Sequence, residues 1–264
     1  MKLFIIAILV AFLGIATATL ADESADKLTA LAKQTQNPVA PLISVPFQEN
    51  INFRSGPENN IQNLLNIQPV IPVSLSKEWN LINRVVLPVI YNPQPEQRFG
   101  LGDTNVSFFF SPVPKSGFIW GAGPVIQAPT ATSQILGAGK WAAGPTAVLV
   151  YMDGPWVIGT LVNNRWSFAG DGNRPEYNQM LLQPFINYNL PEGWSLGTSP
   201  LMNADWKAPG RDQWTVPVGG TVSKVFKLGS QMMSAAGGGY YNAVRPADSS
   251  SWTLRVVLSL LFPE

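Results

Sequence analysis

The sequence predicts an all-β fold: a transmembrane, antiparallel, up-and-down β-barrel of about twelve strands, with a short N-terminal helix or plug segment. Three observations carry that prediction. Apolar and polar residues alternate with period two over segments of about 10–13 residues, long enough to cross a bilayer when tilted, whereas soluble strands average about 5–6. The connections between segments alternate short and long, as they do between the periplasmic turns and external loops of outer-membrane barrels. Tryptophan is common, at 9 residues, and five of the nine stand where a segment begins. The 264-residue chain is only 12% charged, with 17 Lys and Arg against 16 Asp and Glu, which argues against a nucleic-acid partner. It has no Cys and no His, so disulfides, thiolate or imidazole metal sites and imidazole bases are excluded.

Element by element, the chain opens with Lys2, an apolar run from Leu3 to Ala16 and small residues at Ala18 and Ala21. This is the pattern of a Sec signal peptide over residues 1–21, cleaved after Ala21, and the run is too short to span a bilayer as a helix. Residues 22–42 read as a periplasmic segment, partly helical, with a flexible, disordered stretch over 22–36 as an equal alternative. Leu28, Leu31 and Ala32 fall at helical spacing, and Asn37-Pro38 ends the pattern. Residues 43–264 form the barrel, with strands expected at 43–53, 61–74, 79–91, 104–110, 118–127, 141–151, 156–168, 178–190, 194–204, 213–225, 231–241 and 252–262. An even strand number brings both ends of the barrel to the periplasmic side.

Alternation assigns faces. In the last strand Trp252, Leu254, Val256, Leu258, Leu260 and Phe262 share one side, and Thr253 and Arg255 the other. Charge facing lipid costs about 2–4 kcal/mol at the bilayer midplane, so arginines belong inside. The lumen-lining candidates are therefore Arg84, Asn163, Arg165, Gln179, Gln183, Asn187, Thr253 and Arg255, with Asp103, Asp171 and Glu176 as acidic partners for the arginines. Leu161, Leu181, Phe185 and Val257 fall on the same face, so the interior is of mixed polarity. Trp79, Trp141, Trp156, Trp194 and Trp252 are the aromatic-girdle candidates, since an indole has an apolar body and an N–H that prefers water.

Two strings imitate chemical motifs. Gly137-Ala138-Gly139-Lys140 lacks the Ser/Thr and the following helix of a phosphate loop. Gly170-Asp171-Gly172-Asn173 offers one carboxylate where calcium takes six to eight oxygens, and reads as a polar loop. No catalytic, cofactor-binding or metal-binding residue is assigned, no cofactor is expected, and without a histidine to activate a hydroxyl or water the chain is not expected to be an enzyme.

The strings KQTQNP (33–38), ISVPFQ (43–48), FGLGD (99–103), FFFSP (108–112), APTAT (128–132), GAGKWAAGP (137–145), WSFAGD (166–171) and LLQPFINYNLP (181–191) resemble a family of bacterial outer-membrane proteins labelled "transporter" or "neuromedin U", related to the MetA-pathway of phenol degradation proteins. The resemblance spans nearly the whole mature chain and implies a β-barrel that moves small hydrophobic or aromatic compounds. It brings no catalytic residues and no established ligand. Phe262, on the outward face near the terminus, is similar to the C-terminal aromatic signature read by the barrel assembly machinery. The expected partners are therefore outer-membrane lipids, that machinery and a small-molecule solute. The alternative is a structural or adhesive barrel with a closed lumen and no transport.

Overall fold

A computed structural model describes residues 25–93 and 96–263. The signal-peptide reading of residues 1–21 lies outside them. Among the described residues one helix, α1 (Ala25–Thr35), precedes a sheet of fifteen strand segments that closes on itself. The segments are β1 (Ile43–Ser55), β2 (Asn60–Ile67), β3 (Val70–Ser74), β4 (Trp79–Asn92), β5 (Arg98–Leu101), β6 (Thr104–Pro112), β7 (Phe118–Ala128), β8 (Lys140–Asp153), β9 (Trp156–Gly170), β10 (Asn178–Asn189), β11 (Trp194–Thr198), β12 (Met202–Asp205), β13 (Trp214–Leu228), β14 (Gln231–Val244) and β15 (Trp252–Phe262). Three crossings are broken in two: β2 with β3, β5 with β6, and β11 with β12. The barrel thus has twelve antiparallel crossings, and β1 closes it on β15 from Ile43↔Phe262 to Phe53↔Trp252. Closure matters because it leaves no sheet edge with unpaired backbone groups in hydrocarbon.

Each break has a local cause. Pro69 has no N–H to donate, and it separates β2 from β3. Pro200 does the same between β11 and β12, and the freed Ser199 N–H donates instead to the Tyr240 hydroxyl at 3.1 Å. Between β5 and β6 the chain kinks at Gly102-Asp103. A side chain at Gly102 would stand 2.8 Å from the Ile90 side chain. The expected connection over 92–103 is shorter in the structure, which pairs Arg98–Leu101 with β4.

The connections sort by end of the barrel. The turns at 75–78, 113–117, 154–155, 190–193 and 229–230 lie at one end, and the loops at 129–139, 171–177, 206–213 and 245–251 at the other. Two of the turns, 154–155 and 229–230, have only two residues, and each starts with a glycine at positive φ, +49° at Gly154 and +61° at Gly229. α1 sits at the short-turn end. Its Leu28, Leu31 and Ala32 pack with Ala40 and Leu42 against Val225, Met232 and Leu261 of the barrel wall. Thr29 accepts from Gly193 N at 3.4 Å, and Lys33 donates to the Gly154 carbonyl at 2.7 Å.

The outer wall is apolar and ringed by aromatics at both ends. At the short-turn end Trp79 meets Trp120 edge-on at 5.9 Å, and Trp156 meets Tyr188 at 4.8 Å. At the long-loop end Trp206 meets Trp214 at 5.5 Å, and Tyr241 meets Trp252 at 4.8 Å. Trp79, Trp141, Trp156, Trp194 and Trp252 are all exposed, between 39% and 49%. Trp79, Trp156 and Trp194 stand at the first end; Trp141 and Trp252 stand at the second. Among the described residues no helix is long and apolar enough to cross a membrane; the strands do the crossing.

Candidate functional site: the barrel interior

Inward residues divide the lumen into two unlike walls. In the short-turn half of β4 and of β6 to β10 the wall is apolar: Ile82, Phe109, Ile119, Val148, Val150, Val157, Leu161 and Phe185 form one buried cluster, joined by Val39 from the segment after α1. Period two puts each of these side chains on the inner face, and strand pairing stacks them across neighbouring strands. The other wall runs from β10 through β15 to β3 and onto the middle of β4, and it carries amides, hydroxyls and the guanidinium groups of Arg255 and Arg84.

That polar wall and residues 34–42 enclose a cavity of about 270 Å³. Arg84 and Arg255 both line it, with Gln48, Gln68, Gln183 and Tyr240 among their neighbours. Arg255 Nε donates to Asn50 Oδ1 at 3.0 Å, and its Nη1 to the Ser199 carbonyl at 2.7 Å, the group that the Pro200 break turns out of the ladder. The guanidinium also lies 4.5 Å over the Tyr240 ring, within the range of a cation–π contact. Arg84 Nη2 donates to Gln68 Oε1 at 2.5 Å. Gln183 Nε2 donates to Ser199 Oγ at 2.7 Å, which ties β10 into the same network. The floor is the end of α1: Gln36 Nε2 donates to Asn189 Oδ1 at 2.9 Å, and Asn189 Nδ2 returns a bond to Gln36 Oε1 at 3.1 Å.

Arg165 belongs to a second network nearer the long-loop end. It donates to Asn105 Oδ1 at 2.5 Å and Gln127 Oε1 at 2.7 Å. Gln127 Nε2 then donates to Asp103 Oδ2 at 3.2 Å, and that carboxylate also accepts from the backbone N–H groups of Ala131 at 3.2 Å and Ala138 at 2.7 Å. Asp103 therefore pins the 129–139 loop. Arg174 holds the same loop from the other side, through the carbonyls of Gln134, Gly137 and Ala138. Burial pushes the Tyr177 phenol beside this network up to about 12. The Lys207 ammonium, 3.0 Å from Glu176, holds that carboxyl below its usual range.

The arginine partners differ from the sequence expectation. Asp103, Asp171 and Glu176 pair with none of the three. Asp103 is one amide removed from Arg165, Asp171 accepts from Asn173 N at 2.9 Å within its own loop, and Glu176 takes Lys207. Among the described residues the ion pairs are Arg98–Glu96, Lys207–Glu176 and Arg211–Asp212, all in connections or at strand ends. Neutral oxygens replace the carboxylates because the inner strand faces carry amides at hydrogen-bonding reach, whereas Asp103, Asp171 and Glu176 sit in connections.

The remaining lumen candidates also lie on the inner face. Thr253 Oγ1 donates to Asn52 Oδ1 at 2.7 Å, Asn163 is buried with its Oδ1 unbonded among the described residues, and Gln183 and Asn187 line the cavity. Gln179 pairs across the sheet with Arg165 and Asp205. Sequence reasoning did not single out Asn50, Gln68, Ser199 or Tyr240 for this site. Asn50 and Gln68 were reachable by extending period two. Tyr240 follows Gly237-Gly238-Gly239, which give no apolar signal from which to read a face, and Ser199 depends on a break that alternation does not register.

A closed barrel with an apolar belt between two aromatic girdles, a polar-and-apolar interior and its N-terminal helix docked at the short-turn end is an outer-membrane β-barrel. No family model matches the sequence, and no curated protein matches it. Among solved structures, an outer membrane channel from Pseudomonas putida aligns with a TM-score of 0.63 at 15% identity, covering 84% of this chain and 94% of that one. Outer membrane phospholipase A from Escherichia coli aligns with a TM-score of 0.45 at 10% identity, over 83% of this chain and 92% of that one. The Salmonella typhi outer membrane phospholipase aligns at 0.45 and 12% identity, over 92% and 99%. These two correct the expectation that the chain is no enzyme: proteins named as phospholipases stand among its structural matches, so that exclusion is withdrawn.

Proposed function

We propose that this barrel passes small hydrophobic or aromatic compounds across the outer membrane. The observation that carries the reading is the two-sided interior: a cavity of about 270 Å³, lined mainly by hydrogen-bonding groups, borders the apolar cluster at Phe185. A solute with an aromatic body and one polar group meets both walls, whereas a general water-filled pore has no use for the apolar one. The sequence likeness to the family labelled "transporter" supports the same reading, and the outward Phe262 supports the barrel assembly machinery as a folding partner. Specific docking of α1 at the periplasmic mouth favours a second reading, a closed barrel that serves structure or adhesion.

The two readings separate in planar bilayers and proteoliposomes. Transport predicts uptake of a neutral aromatic such as benzyl alcohol by proteoliposomes above the rate of empty vesicles. It also predicts that Leu31→Asp, which places a charge in the α1 contact with Val225 and Met232, raises conductance at least several-fold while the barrel stays folded. No protein-dependent uptake by either form would leave the closed-barrel reading standing.

A further inference from the structure

We infer that the cavity beneath the polar wall is a binding site for a small amphipathic carboxylate, with its anionic head on Arg84 and Arg255 and its apolar body against Phe185 and Tyr240. This names the solute class for the transport reading and rests on that reading only for the direction of traffic; the site itself stands on its own geometry.

Two guanidinium groups face one small cavity, and among the described residues neither has a carboxylate partner. Each guanidinium carries five N–H donors. Arg255 makes two hydrogen bonds, to Asn50 Oδ1 and the Ser199 carbonyl, and Arg84 makes one, to Gln68 Oε1. The acceptors are neutral, so they orient the cations without cancelling their charge. Charged hydrogen bonds to a carboxylate are about twice as strong as neutral ones, so an anion entering this cavity gains more than water or an alcohol does.

The surroundings define the rest of the molecule. Phe185 lines the cavity and also belongs to the apolar cluster, so the cavity borders the apolar wall. Tyr240, with no exposed surface, is held by its hydroxyl to Ser199 N and presents its ring to Arg255. At about 270 Å³ the cavity stands near the small end of ligand pockets, which run from about 300 to 1,000 Å³. A one-ring acid suits it better than a long-chain lipid. The side chains that face the cavity besides the arginines are amides, hydroxyls and apolar groups, and no Asp or Glu lines it. A cationic solute therefore has no counter-charge there.

The test is equilibrium dialysis of labelled benzoate, acetate and benzyl alcohol against the full-length protein in detergent micelles, with folding checked by heat-modifiable gel mobility. Benzoate should bind at least tenfold more tightly than either probe: acetate has the head without the ring, and benzyl alcohol the ring without the charge. Arg84→Gln and Arg255→Gln should each weaken benzoate about tenfold and weaken benzyl alcohol much less. If a glutamine variant fails to fold, Arg84→Lys and Arg255→Lys keep the charge and should retain most of the benzoate affinity while losing the paired geometry. Equal binding of benzoate and benzyl alcohol, equal binding of acetate and benzoate, or benzoate affinity untouched in a folded glutamine variant would each overturn the inference. Benzoate binding without protein-dependent benzyl alcohol uptake would sink the transport reading and leave this site intact.

Discussion

Glu49 is the residue whose position is hardest to reconcile with its chemistry. Period two puts it on the outer face of β1, flanked by Leu65 on β2 and Val256 on β15. Its Oε1 is buried and, among the described residues, makes no hydrogen bond. A polar group shut away from water without a partner is costly, and a carboxyl in an apolar wall is a standing liability. The alternation Ile43, Val45, Phe47, Ile51, Phe53 shows the apolar face of this strand on either side of Glu49, yet reading only the apolar positions steps over the interruption. The neighbouring Val256 makes the consequence measurable. Arginine at a lipid-facing midplane position costs about 2–4 kcal/mol. Val256→Arg should cost the full amount in a Glu49→Leu background and distinctly less in the native one, where the guanidinium can reach the carboxyl. Urea-dependent folding into lipid vesicles measures both, and equal costs in the two backgrounds would place Val256 and Glu49 out of reach of each other.

At the scale of elements, the 129–139 loop is built into the barrel as firmly as a strand. Asp103 accepts two of its backbone N–H groups, Arg174 binds three of its carbonyls, and Thr132 Oγ1 accepts from Leu101 N at 3.1 Å. Gly100 makes room for it, since a Cβ there would stand 2.0 Å from Thr132 Oγ1. Asp103→Ala leaves three donors unsatisfied, at about 1–3 kcal/mol each where they are buried. The expected outcome is faster protease cleavage within 129–139, with β6 and β7 still paired; an unchanged cleavage rate would mean that Arg174 alone holds the loop. From the sequence this stretch reads as an external loop between two strands, and its length and turn residues carry that much. Its folded course depends on Asp103 and Arg174, which lie 35 and 36 residues from Ala138 in the chain. Contacts at that separation leave no periodic trace.

For the whole molecule, the inner strand faces present Arg84, Arg165 and Arg255, while the carboxylate nearest to them in the network, Asp103, is spent on the loop. A conducting form should therefore prefer anions. Across a KCl gradient the reversal potential of native or Leu31→Asp channels should report anion preference, and Arg255→Ala should reduce it; cation preference in the parent would mean that the guanidiniums are screened from the ion path. The same scale shows where sequence reading stops. Strand number and strand faces are legible in the chain, because a bilayer imposes one apolar surface of fixed thickness and writes it as period-two alternation about ten residues long. The inward direction of the arginines follows from that same constraint. What fills the lumen was not legible. The seating of α1 on Val225, Met232 and Leu261, the split of the interior into apolar and polar walls, and the meeting of Arg84 with Arg255 over one cavity join residues from opposite ends of the chain. The lipid acts on every strand alike and so marks the sequence locally, whereas the lumen is an inside surface whose neighbours are decided only when β1 closes on β15.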